Sequence, residues 1–222
     1  MVKVKICGIK RLEDGLAAAE AGADLIGLNF YRSSPRYIHP VDARRLADGM
    51  RAELGAACPV LVGVFVNEIV GRMSITMEQV GLKFVQLSGD ESGEMLRELR
   101  GTGYKAIRPR TVQEAVDDAM YFDQYAPADD RVPSLLLDAH HPALYGGTGE
   151  QASIDVARAA RDLTPRLMLA GGLRPDNVQA IITAVQPWGV DVASGVEVEG
   201  QQGIKDREKM RAFIQAVKMV EW

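Results

Sequence analysis

Residues 166–185 read RLMLAGGLRPDNVQAIITAV. The run LMLA is short and apolar throughout, as a parallel strand covered on both faces must be. Gly171 and Gly172 end it. Pro175 suits the first turn of a helix, where a missing N–H costs nothing. VQAIITAV then carries apolar residues at helical spacing. One strand, one glycine-rich turn and one helix make a β–α unit, and the unit recurs outward in both directions. Strands are expected at 3–7, 24–30, 60–66, 84–87, 104–107, 134–138, 166–170 and 190–192. Helical patterns fill the gaps. RLEDGLAAAEAGA stops at Gly22, VDARRLADGMRAEL follows Pro40, and TVQEAVDDAMYFDQYA starts on a Thr cap. KDREKMRAFIQAVKMV closes the chain.

Eight strands alternating with helices predict an α/β fold, a single (β/α)8 TIM barrel of parallel strands. The doubly wound open sheet is the competing solution, but it usually takes fewer strands before a domain change. No Pro/Gly/Ser-rich linker divides the 222 residues, so residues 1–222 are read as one domain.

Composition narrows the function. Hydrophobic residues make up 47% and charged residues 25%, as in soluble globular proteins. A net charge of −4 gives no basic surplus for nucleic acid. No apolar run suits a membrane span, and with charges inside its apolar stretch MVKVKICG is not expected to act as a signal peptide. Cys7 and Cys58 stand far apart without metal spacing, which favours a reducing cytoplasm over a disulfide framework. His39, His140 and His141 show no ligand spacing with carboxylates or cysteine, so neither a metal nor a cofactor is expected.

In such a barrel, function sits where strands end and the following loops begin. Cys7 and Gly8 follow the first strand, and Arg36 lies in the polar loop after the second. Asp138 ends SLLLDA, where it should face the mouth; partial burial there would suit a proton donor. Gly171 and Gly172 follow strand seven, and Ser194 and Gly195 follow strand eight. Glycine lets backbone N–H groups approach an anion, a short helix near Ser194 would aim its positive end there, and barrels often hold phosphate between these loops. YGGTGE after strand six is a third glycine-rich candidate wall. Arg36 can grip a carboxylate in bidentate fashion; Arg32, Arg108 and Arg110 compete for that role. Cys7 could be a core thiol or a catalytic one. Cys58 reads as core, and Asp191 as an inward side chain in a polar network. An acid, a base and a phosphate grip without a cofactor suit isomerisation of a sugar phosphate.

At this point the motifs fall into a familiar order. KICG at 5–8, NFYRSSPRYI at 29–38, VGVFVN at 62–67 and VQLSGDE at 85–91 come first. LLLDA leading into GGTGE, LAGGLRPDNV and GVDVASGVE follow. Over nearly its whole length the chain resembles the phosphoribosylanthranilate isomerase family of tryptophan biosynthesis. The resemblance implies an Amadori rearrangement. Asp138 matches the general acid that protonates the ribosyl ring oxygen. Cys7 matches the general base that takes the C2′ proton. Arg36 matches the residue that holds the anthranilate carboxylate. The phosphate would lie on the backbone of Gly172 and Gly195, beside Gly171 and Ser194. The implied partner is a small phosphosugar, and the implied assembly a monomer or homodimer.

Three stretches depart from the pattern. Ser88 stands where the family's VQLHG has histidine, so no imidazole charge is available near strand four. QASIDV replaces an aromatic-rich segment, and VEVEGQQGIKD is looser than the usual link to the last helix. The alternatives are a different-substrate barrel, such as the related histidine-pathway isomerase, and a non-catalytic phosphosugar-binding barrel. The histidine-pathway enzyme uses two aspartates, whereas this chain has cysteine at the first strand.

Overall fold

A computed structural model describes the backbone of residues 1–138 and 148–220, with side chains throughout except at 148–153. Eight parallel strands close into a barrel in chain order: β1 (Lys3–Cys7), β2 (Leu25–Asn29), β3 (Val60–Phe65), β4 (Phe84–Leu87), β5 (Gly103–Ile107), β6 (Leu135–Asp138), β7 (Leu167–Ala170) and β8 (Gly189–Val192). β8 pairs with β1, so the sheet has no edge. The helices between them are α1 (Leu12–Ala21), α2 (Pro40–Leu54), α3 (Val70–Val80), α4 (Gly93–Glu98), α5 (Val112–Asp123), α6 (Thr148–Leu163), α7 (Val178–Val185) and α8 (Arg207–Lys218).

The local signals act as their chemistry dictates. Gly22 ends α1 in the left-handed conformation at φ 101°. Thr111 Oγ1 accepts from Glu114 N and caps α5, and Asp206 caps α8 by accepting from Glu208 N and Lys209 N. Pro175 departs from expectation. It precedes α7, which starts at Val178. Asn177 explains the delay: its Oδ1 accepts from Arg174 N at 2.8 Å and its Nδ2 donates to Gly172 O at 3.0 Å. These bonds hold 172–177 as a turn and compete with helix formation.

Two apolar shells and one interior core sustain the barrel. Ile6, Ile26, Val190, Met50, Phe213 and Ile214 join β1, β2 and β8 to their helices. Leu87, Ile107, Leu137, Leu169, Ala119 and Ala160 do the same on the opposite side. Inside, Leu25, Phe84, Tyr104, Leu136 and Met168 fill the lower part. Each such large side chain stabilises the fold by roughly 1.5–3 kcal/mol. Packing the interior from below leaves the C-terminal mouth as the open end.

Candidate active site

Above this apolar floor lies a buried polar layer. Lys5 Nζ, fully buried, donates to Gln86 Oε1 at 2.8 Å and to Asp191 Oδ2 at 3.1 Å. Tyr104 OH donates to the same Gln86 oxygen at 3.1 Å, and Gln86 Nε2 donates to Ser88 Oγ at 3.0 Å. Asp191 is therefore the inward side chain its position implied. Ser88 is buried in this chain of bonds rather than idle. Burial pulls the Lys5 ammonium down, but attraction to Asp191 outweighs it and leaves it firmly protonated.

Cys7 sits over this layer at the end of β1, 8% exposed. Its Cα pairs in register with Gly27 of β2. Gly8 follows at φ 79°, a conformation that suits glycine. A Cβ on Gly8 would lie 2.6 Å from Arg36 Cδ, so the missing side chain also lets the arginine stem pass. Burial pushes the Cys7 thiol up; Lys5, Lys205 and Arg36 pull it down, Asp191 pushes it further up, and burial wins.

Asp138 ends β6 with its side chain 29% exposed, and Arg108 Nε approaches Oδ2 at 3.4 Å. Arg108, a competitor for the anion role in the sequence, is thus the neighbour of the carboxylate. Arg36 lies across the mouth, 22% exposed and paired with Glu197.

The two anion loops meet by backbone contact. Gly171 and Gly172 have φ 96° and 61°. A single 3-10 turn at Ser194–Val196 follows β8, as the sequence predicted. A Cβ on Gly195 would lie 1.9 Å from Leu173 O, so only glycine lets the turn after β8 pack against the loop after β7. Cys7, Arg36, Asp138, Gly171, Gly172, Ser194 and Gly195 all line one cavity of about 330 Å3. YGGTGE falls partly, and His140 and His141 wholly, outside the described residues. Among the described residues, no cluster of three or more His, Cys, Asp or Glu could hold a metal.

A larger cavity of about 560 Å3 opens beside α3 among Phe30, Tyr37, Phe65 and Arg72. It shares only Val66 with the first, and of the expected groups it holds Arg32 alone, one of the competing arginines, with neither the acid, the base nor the glycine loops. Chemistry, not size, singles out the mouth.

Sequence reasoning missed Gly27, Glu197 and the Lys5–Gln86–Tyr104 bonds. The motif SGVE held Glu197 in plain view, but nothing local tied it to Arg36.

Comparison with known proteins places the whole chain in one family. The family described as N-(5′-phosphoribosyl)anthranilate (PRA) isomerase matches residues 4–216. The N-(5′-phosphoribosyl)anthranilate isomerase of Citrifermentans bemidjiense is 44% identical over 220 residues, covering 99% of this chain and 98% of that protein. The crystal structure of the Thermotoga maritima phosphoribosyl anthranilate isomerase superposes with a TM-score of 0.83 at 38% identity, covering 99% of this chain and all of that one. A second crystal structure, of a phosphoribosyl anthranilate isomerase in complex with reduced 1-(o-carboxyphenylamino)-1-deoxyribulose 5-phosphate, superposes at 0.81 with 36% identity and the same coverage.

Proposed function

The chain belongs to the N-(5′-phosphoribosyl)anthranilate isomerase family, and from that premise we propose how its residues divide the work. The enzyme isomerises N-(5′-phosphoribosyl)anthranilate in tryptophan biosynthesis. The conversion is an Amadori rearrangement that yields 1-(2-carboxyphenylamino)-1-deoxyribulose 5-phosphate. Asp138 donates a proton to the ribose ring oxygen as the C1′–O bond breaks. The ring opens to a Schiff base, and Arg108 steadies the carboxylate left behind. The Cys7 thiolate then removes the C2′ proton. Electrons move toward the nitrogen, and the enolamine formed tautomerises to the ketone. No redox partner or cofactor enters this balance. The phosphate rests on the backbone of Gly172 and Gly195, flanked by Gly171 and Ser194. Arg36 takes the anthranilate carboxylate.

The observation that carries this reading is the shared cavity: acid, base, guanidinium and both glycine loops line one space of about 330 Å3. Holding them together lets proton transfers follow one another without diffusion. The chain works as one domain, monomeric or as a homodimer, in a cytoplasm that keeps its two free cysteines reduced.

Turnover of freshly generated phosphoribosylanthranilate, followed by loss of its fluorescence, tests the assignment. Cys7→Ala and Asp138→Asn should each lower kcat by about a hundredfold or more. Near-parental turnover in either variant would remove that residue from its role.

A further inference from the structure

The Arg36 guanidinium is gripped along one edge. Its Nε donates to Glu197 Oε1 at 2.7 Å and its Nη2 to Glu197 Oε2 at 2.9 Å. A guanidinium has five N–H groups in a fixed plane. Glu197 takes the side edge, which leaves the Nη1/Nη2 end for a second carboxylate. The arginine stem is confined as well, because Gly8 lies under Cδ and Ser34 Oγ accepts from Arg36 N at 3.1 Å.

Glu197 is itself fixed from behind. It is 6% exposed, and Lys205 Nζ donates to its Oε1 at 3.2 Å. Lys205 is anchored in turn on Ala193 O at 2.8 Å. The chain between the two residues folds back on itself: Glu197 and Lys205 form an antiparallel bridge, and Val198 N donates to Ile204 O at 2.9 Å. The loose link VEVEGQQGIKD is therefore a small hairpin that brings a lysine onto the glutamate.

We propose that Glu197, backed by Lys205, is a positioning residue that sets specificity for the carboxylate-bearing ring by aiming the free edge of Arg36 into the mouth. This rests on the reading that Arg36 holds that carboxylate. The charges make the idea sharp. Arg36, Glu197 and Lys205 sum to +1, so Glu197 taken only as a charge weakens anion binding. Its removal should then tighten the ligand. As a positioning group, its removal should loosen it.

The probes are reduced 1-(o-carboxyphenylamino)-1-deoxyribulose 5-phosphate and the same molecule lacking the ring carboxylate, with affinities measured by calorimetry. Glu197→Gln, of equal size, should reduce the preference for the carboxylate ligand roughly tenfold and raise KM with kcat little changed. Glu197→Gln with Lys205→Met, which leaves no unpaired buried lysine, should show the same loss. An unchanged or increased preference in both folded variants overturns the proposal. Arg36→Met separates the two layers. If it erases the preference and the Glu197 variants do not, Arg36 keeps its role and the Glu197 proposal falls. If Arg36→Met leaves the preference intact, the reading of Arg36 fails first and takes the proposal with it.

Discussion

Gly27 and Cys7 face each other across the β1–β2 ladder so closely that a Cβ on Gly27 would lie 2.8 Å from Cys7 Sγ. The thiol occupies the space a side chain would have taken. Gly27→Ala should therefore displace the sulfur toward the mouth. A displacement near 1 Å at a reacting atom costs on the order of a hundredfold in rate. The expected result is a folded barrel with kcat reduced by about tenfold to a hundredfold. Steady-state kinetics beside a thermal melt will separate that from simple unfolding.

The thiol's burial sets a pH signature. Burial lifts the Cys7 thiol, and the cations Lys5, Lys205 and Arg36 only partly offset it. The thiol is the favoured form at neutral pH, and the thiolate base grows as pH rises. With Cys7 as the proposed base, kcat/KM of the free enzyme should climb on the alkaline side of neutrality. Iodoacetamide should alkylate Cys7 more slowly at pH 7 than it alkylates a free cysteine. Mass spectrometry across a pH series reads this directly, and fast labelling at pH 6 would show a thiolate already formed.

The Lys5–Asp191 pair should behave as a buried couple. Both residues are nearly inaccessible, and Asp191 Oδ1 makes no hydrogen bond among the described residues. Lys5→Met leaves a lone buried carboxylate and should cost about 3–5 kcal/mol. Lys5→Met with Asp191→Leu should recover most of that loss. Urea titrations of the parent and the two variants give the comparison.

Asp24 makes a smaller, acid-sensitive contribution. It joins three segments by accepting from Lys3 Nζ, Lys218 Nζ and Val4 N, each at 2.9 Å. Burial alone would raise its carboxyl, but these bonds outweigh burial and hold it below the usual range. A lowered folded-state pKa stabilises above the unfolded value of about 3.9, and the gain disappears as pH falls through the folded value. Asp24→Asn should lose about 1–2 kcal/mol at pH 7. The gap to the parent should narrow below about pH 4 in acid unfolding.

Local patterns made the barrel legible. Eight short apolar runs with turns between them leave few other folds, and the observed strands differ from the expected ones by a residue or so at their ends. Cys7, Asp138 and the glycine loops were legible because strand-end position is itself a local fact. Arg36 was placed by its loop, but its partner Glu197 lies 161 residues away. Lys5 reads as one more charge in VKVKICG, and only closure of β1 onto β8 shows it to be the centre of a polar layer. Gly27 inside LIGLN looks like a weak spot in a strand until a sulfur is placed over it. Pro175 misled because the Asn177 side chain, not the proline, governs where α7 begins.

Barrel closure also bears on synthesis. β1 carries Cys7, but its pairing partner β8 begins only at Gly189. At roughly 5–20 residues per second, a growing chain holds its first strand with one open edge for roughly ten seconds or more. Through that interval the thiol has neither Asp191 beside Lys5 nor the loop that carries Gly195. A nascent chain therefore lacks a closed mouth until β8 has formed. It also has an exposed strand to protect until its last β–α unit emerges from the ribosome.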